Sequence, residues 1–150
     1  MSDKIYYLDT SALVKRYVTE TGSNIVDDIF NKVYRGLSML AFSYWNLAEA
    51  AVVFDKYEKR LGISAKRVLK DLLREVKTLA RLQRIIVIGV SPLILREAVK
   101  LVFKHHIYVA DALQIVSAAK SSSTRFVTGD KKLASIARAE RLETIYLGKT

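Results

Sequence analysis

The most restrictive feature of this sequence is its rhythm. Short apolar runs alternate with stretches of helical periodicity. The runs are IYYL at 5–8, LSMLAF at 37–42, RIIVIGV at 84–90, RFVT at 125–128 and TIYL at 144–147. A helix begins near Ser11, and a second spans 24–34 with Ile25, Ile29 and Val33 on one face. Ser43 is a good N-cap for a third helix running through Tyr57, which the segment LGIS ends. Ser64 caps a fourth, reaching residue 82. Ser91 and Pro92 form a cap and first turn for one or two helices over 92–120, and 131–140 reads as a short helix. Apolar strands alternating with helices imply βαβ units, hence an α/β fold with a mostly parallel sheet of about five strands.

Composition narrows the function classes. The 150 residues are 51% hydrophobic and 27% charged, the balance of one folded domain spanning 1–150. With no cysteine, disulfide frameworks and thiolate metal sites are excluded, which fits a reducing cytoplasm. No apolar run reaches the roughly 20 residues of a membrane span, and MSDKIYYLDT lacks the layout of a signal peptide. The net charge of +10 favours polyanionic partners, nucleic acid among them.

Against that basic background, four acids stand in apolar company. Asp9 follows the strand IYYL with no cation in the next five positions. Glu49 has Trp45, Val52 and Val53 at its helical neighbour positions, and Asp111 has Ile107, Tyr108 and Ile115. Asp130 sits at the corner after RFVTG. A carboxylate buried alone either shifts its pKa or finds a partner. Neither Glu49 nor Asp111 has a basic residue at i±3 or i±4, so convergence on a shared cation is the economical solution. Oxygen ligands without His or Cys suit Mg²⁺ or Mn²⁺. In parallel sheets ligands gather beyond the carboxyl ends of the strands, where Asp9 and Asp130 fall. Singly, each acid has a plainer reading. Asp9 and Asp130 could cap helices, Asp130 with Thr128, and Asp111 could cap a helix after a break near His106. Glu49, about two turns into its helix, is hardest to explain that way. Thr10, Ser11 and Thr128 flank two of the acids and could orient a carboxylate, bind a metal's water or donate to a phosphate.

The segments YLDTSALVKRY, NLAEA, VADALQIVSA and FVTGDKKLASIA, in that order, resemble the PIN-domain ribonucleases, and within them the VapC-like toxins of prokaryotic toxin–antitoxin pairs. The resemblance covers nearly the whole chain. It implies a PIN-like three-layer α/β/α fold and places the family's acidic quartet on Asp9, Glu49, Asp111 and Asp130. It implies an endoribonuclease that hydrolyses RNA phosphodiesters with one or two Mg²⁺ or Mn²⁺ ions. Asp9 and Asp111 would be core ligands, with Glu49 on the same ion or its water and Asp130 completing the site. It also implies an antitoxin partner and a homodimer. Where many relatives carry a further acid two residues after the fourth carboxylate, this chain has Lys132, which lowers the negative charge of that corner.

The basic residues then gain a possible role. Lys15, Arg16, Lys131 and Lys132 lie beside acid motifs and are candidates for RNA contact. Residues 56–84 hold ten Lys or Arg against three acids, with Lys66, Lys70, Arg74, Lys77 and Arg81 forming a stripe. That stripe is either a solvated helix face or a track for RNA or an acidic partner. Two other functions fit the resemblance: a housekeeping RNA-processing nuclease, and a non-catalytic binding module. The module reading expects an acid to be missing, and none is.

Overall fold

The computed structural model describes residues 4–149. Residues 1–3 and 150 lie outside the described residues, and with them the ends of the expected 1–150 domain and the start of the stretch read for a signal peptide. In chain order the elements are β1 (Lys4–Leu8), α1 (Thr10–Leu13), a 3-10 turn (Val14–Arg16), α2 (Ser23–Tyr34), β2 (Ser38–Ser43), α3 (Tyr44–Leu61), α4 (Ala65–Arg81), β3 (Ile85–Ile88), α5 (Pro92–His105), α6 (Val109–Lys120), β4 (Arg125–Thr128), α7 (Lys131–Ala139) and β5 (Thr144–Tyr146). The strands form one sheet in the order β3-β2-β1-β4-β5, every neighbouring pair parallel.

β1 is therefore central, and its alternation builds two cores. Tyr6 and Leu8 point to one face, where they join Leu40, Phe42 and Val127 under α1–α4. Tyr7 points to the other, where it joins Ala41 and Phe126 under α5, α6 and α7. Both faces are covered, giving the expected three layers. This is why the strands read as continuous apolar runs rather than as polar alternations. Full burial of each such side chain is worth about 1.5–3 kcal/mol. Among the described residues no helix is long and apolar enough to cross a membrane.

The helix starts follow local chemistry. The Oγ atoms of Ser43, Ser64 and Ser91 accept from the first-turn N–H groups of α3, α4 and α5. Gly62 closes α3 in the left-handed region, at φ 70°. The stretch 92–120 is two helices because His106 also takes that conformation, at φ 55°, and ends α5. Trp45, near the start of α3, is 43% exposed, and Leu73 on α4 is 41% exposed.

One polar cluster clamps α4 onto the body. Arg16 forms a bidentate pair with Glu75, both bonds 3.0 Å, and reaches Asp27 at 2.9 Å. The Tyr17 and Tyr34 hydroxyls donate to the same Glu75 carboxylate at 2.8 and 2.7 Å. The guanidinium also stacks 4.5 Å above the Phe30 ring. Burial works against ionising Glu75, but the hydrogen bonds from Arg16, Tyr34 and Tyr17 outweigh it and hold its pKa below the ordinary value. Glu75→Ala removes the bidentate partner of a partly buried guanidinium, leaving it only Asp27, and takes the acceptor from two phenols, and should cost about 3 kcal/mol in urea unfolding at pH 7. A depressed carboxyl pKa stabilises the fold above the unfolded value, near 4.5, and the benefit is lost as pH falls through the folded value. The difference between the variant and the wild type should therefore shrink in acid.

Candidate active site

The central strand delivers Asp9 to the carboxyl edge of the sheet, and β4 beside it delivers Asp130 two residues after Thr128. Strand order reverses here: the chain leaves β1 for β2 on one side and returns to β4 on the other. Crevices at such points are where open α/β sheets bind ligands. Glu49 comes from the second turn of α3 and Asp111 from the first turn of α6. A cavity of about 380 Å³ opens beside Asp111, lined also by His106, Ile107, Tyr108 and Lys132.

Asp9 is the most constrained group. It is only 3% exposed and makes no ion pair among the described residues. Its Oδ1 accepts from the Ser11 hydroxyl at 2.7 Å and the Ala12 N–H at 2.9 Å, and its Oδ2 accepts from the Thr128 hydroxyl at 2.5 Å. Those donors favour the ionised form. Burial opposes them and wins, with Asp130's charge adding to it, and the pKa rises from its ordinary 3.8 to about 6. Burial likewise raises Asp111, helped by the charges of Asp130 and Glu49 and opposed by Lys132. The Asp111 carboxylate makes no hydrogen bond among the described residues, and Tyr108, not Asp111, occupies the N-cap of α6. The capping alternative holds for Asp9 and Asp130, whose Oδ1 atoms do cap α1 and α7. It does not hold for Asp111.

The hydroxyls orient carboxylates. Thr10 donates to Glu49 Oε1 at 2.7 Å, which ties the acid of α3 to the residue after Asp9. Ser11 donates to Asp9 and accepts the Gly129 N–H at 2.8 Å, and Thr128 donates to Asp9 and accepts the Asp130 N–H at 3.0 Å. A Cβ at Gly129 would sit 2.9 Å from Cε of the flexible Lys15 side chain and 3.4 Å from Ser11 Oγ. The four acids share one end of the sheet, and two of them, Glu49 and Asp130, perturb Asp111 or Asp9 electrostatically. As the side chains stand, no three Asp, Glu, His or Cys among the described residues converge as a metal-ligand group. Glu49 is drawn to Thr10 and Asp130 to its own helix.

Of the basic candidates, Lys15 bonds Glu20 at 3.1 Å and Arg16 is committed to Glu75 and Asp27. Lys131 and Lys132 are exposed beside Asp130, and Lys132 also borders the Asp111 cavity.

Two buried polar side chains beside the acids escaped the sequence reading. The Tyr7 hydroxyl donates to Gln114 Oε1 at 2.8 Å, Gln114 Nε2 donates to Asn46 Oδ1 at 2.5 Å, and Asn46 Nδ2 donates to the Leu8 carbonyl at 2.8 Å. Asn46 precedes Glu49 by three residues and Gln114 follows Asp111 by three. This buried relay thus ties α3 and α6, the helices carrying two of the acids, to the end of the strand carrying a third. An amide three residues from each acid, on the same helix face, was the available signal.

Two outcomes follow. Gln114→Leu leaves Asn46 Oδ1 unpaired in the core and takes the Oε1 acceptor from the Tyr7 hydroxyl, and should cost about 2 kcal/mol in thermal or urea unfolding. For Asp9, the native state holds a proton that the unfolded state releases between pH 3.8 and about 6, so stability falls as pH rises through that window. Asp9→Asn should therefore stabilise the metal-free protein by up to about 3 kcal/mol at pH 7.5 and by almost nothing at pH 3.5, read from melting curves in EDTA.

The PIN domain family model matches residues 6–139. No curated protein matches the sequence. Among solved structures, PAE2754 from Pyrobaculum aerophilum is 23% identical at a TM-score of 0.59, over 88% of this chain and 78% of that one. The Mycobacterium tuberculosis toxin VapC20, described as cleaving the sarcin–ricin loop, is 14% identical at 0.64, over 87% of this chain and 94% of that one. VapBC2 from Rickettsia felis, solved with a DNA fragment from its promoter, is 18% identical at 0.63, over 95% and 98%. The structural likenesses speak to the fold, while the family match runs through Asp9, Glu49, Asp111 and Asp130 alike, and the chain belongs to the PIN domain family.

Proposed function

We propose that this protein is a divalent-metal-dependent endoribonuclease acting as the toxin of a VapBC-type toxin–antitoxin pair. The observation that carries the reading is Asp9: a carboxylate buried at the end of the central strand, without a cationic partner among the described residues, beside Asp130, whose charge also acts on Asp111. Membership of a nuclease family and resemblance to solved toxins and toxin–antitoxin complexes support it.

The donor set fits a hard cation. Every candidate ligand is a carboxylate oxygen, and Mg²⁺ commonly uses one or two carboxylates, completing its shell with water and substrate phosphate. The spread acids therefore suffice without a closed cage. Asp9 and Asp111 would hold the ion, with Glu49 and Asp130 on its flanks. When bound, it supplies a more acidic water and offsets charge on the phosphate oxygens. The chain's own groups do the rest. Ser11, Thr128 and the Ala12 N–H fix the direction of the Asp9 carboxylate. Thr10 holds Glu49 by one oxygen and leaves the other available. Lys132, beside Asp111, offers positive charge to the scissile phosphate. In the hydrolysis a water oxygen bonds to phosphorus as one ester P–O bond breaks, and the departing oxygen takes up a proton.

The protein is further proposed to act as a homodimer in the cytoplasm. An apolar surface lined by Trp45, Val90, Leu95, Val109, Ala110 and Leu113 supports a contact between copies. An antitoxin would cover the acidic pocket.

The test is incubation of purified protein with mixed single-stranded RNAs and Mg²⁺ or Mn²⁺. Cleavage should stop in EDTA and fall more than about a hundredfold in Asp9→Asn and Asp111→Asn, beyond the loss typical of an outer-shell contact. Cleavage that survives both substitutions would sink the proposal. Growth arrest on expression, relieved by a neighbouring gene product, would separate a toxin from a housekeeping nuclease.

A further inference from the structure

On the far side of α7 from the Asp111 cavity lies a second groove of about 460 Å³, lined by Lys131, Ala134, Arg138, Tyr146 and Lys149. Its size is that of small-ligand sites, about 300–1,000 Å³. Lys131, Ala134 and Arg138 fall at i, i+3 and i+7, on one face of α7, and the two cations are about 10 Å apart along the helix axis. Tyr146 ends β5 in register with Thr128, so its ring stands at the same sheet edge as the acids, one strand out. Gly148 leaves room for that ring, because a Cβ there would overlap the Tyr146 hydroxyl.

The charge of this groove is uncompensated. Three cations line it and no acid does. Lys131, Arg138 and Lys149 make no ion pair among the described residues, unlike Lys15, Arg16, Lys104 and Arg125. The nearby acids are spent elsewhere, Glu140 on Lys104 and His105, and Glu143 on Arg125. The groove begins one residue after Asp130, so a strand crossing the first turn of α7 passes from the acids directly into it. The α4 stripe is larger, but it belongs to no acid motif.

We propose that this groove is a substrate subsite that receives a nucleotide flanking the scissile phosphodiester of single-stranded RNA. The base stacks on Tyr146 and the flanking phosphates contact Lys131, Arg138 and Lys149. The inference rests on the nuclease reading and adds to it a path for the strand. Aromatic stacking with cations along a backbone is how single strands are bound without strict sequence readout.

Anisotropy of a fluorescein-labelled, mixed-sequence single-stranded RNA, titrated with the full chain in EDTA at several salt concentrations, tests it. Lys131→Gln/Arg138→Gln/Lys149→Gln should reduce the slope of log K against log salt by about 2, the value for three single-strand phosphate contacts. Its affinity should fall at least tenfold more than that of Lys66→Gln/Lys70→Gln/Lys77→Gln, which removes equal charge from α4. Tyr146→Leu should weaken binding about tenfold with the salt slope unchanged, and Tyr146→Phe should restore it. Equal losses in the two triple variants, or an indifferent Tyr146→Leu whose melting matches wild type, would overturn the subsite, as would absence of RNA binding. If wild type still cleaves RNA in Mg²⁺ while binding ignores α7, the subsite alone fails. If wild type cleaves nothing, the nuclease reading fails.

Discussion

The structure turns on one carboxylate kept out of water. Asp9 ends the central strand, and three donors from two chain segments converge on it: Ser11 and the Ala12 N–H from the helix that follows, Thr128 from the neighbouring strand. Those bonds do not cancel the cost of burial, since the carboxyl still titrates well above its usual range. Stability is given up at one point for a charge that nothing local neutralises, which supports the site proposed above, and the same carboxylate also caps α1. The hydrogen bonds determine where the charge points.

The remaining acids are held with varying firmness. Glu49 leans on Thr10 and Asp130 on its own helix N-terminus, while Asp111 is held only by its helix. The relay Tyr7–Gln114–Asn46–Leu8 carbonyl ties α3 and α6, which carry Glu49 and Asp111, to each other and to the end of β1 inside the core. A satisfied buried polar chain admits few alternative alignments, because sliding either helix would strand several donors at once. The carboxylates can stay apart and still be poised, since the backbones that carry them are registered to one another.

Electrostatics divides the molecule into regions of different use. The chain carries +10 overall, yet the acids gather at one end of the sheet. Many cations are structural: Arg16 clamps α4 through Glu75, and Lys104 pairs with Glu140. Those left without partners along α7 adjoin the acids. A polyanion drawn in by the net charge would thus meet the acidic pocket with basic surface alongside it.

The strand and helix pattern was legible in the sequence because burial of both sheet faces and short N-cap motifs leave local marks. Ser43, Ser64 and Ser91 each start the helix that their positions predict. The four acids were legible too, because a carboxylate among apolar neighbours stands out without any structure. The sequence alone determined the α/β class, the order of elements and the identity of the unusual charges. Only the tertiary structure decided the strand order that makes β1 central, the split at His106, the pairing of Arg16 with Glu75 and the relay through Asn46 and Gln114. It also decided which lysines are free, since Lys15 finds Glu20 while Lys131 finds no acid among the described residues. The physical reason is one of range. Caps and periodicity act within a few residues, whereas the partner of a buried amide or an arginine is chosen by which distant segments the packing brings within 3 Å.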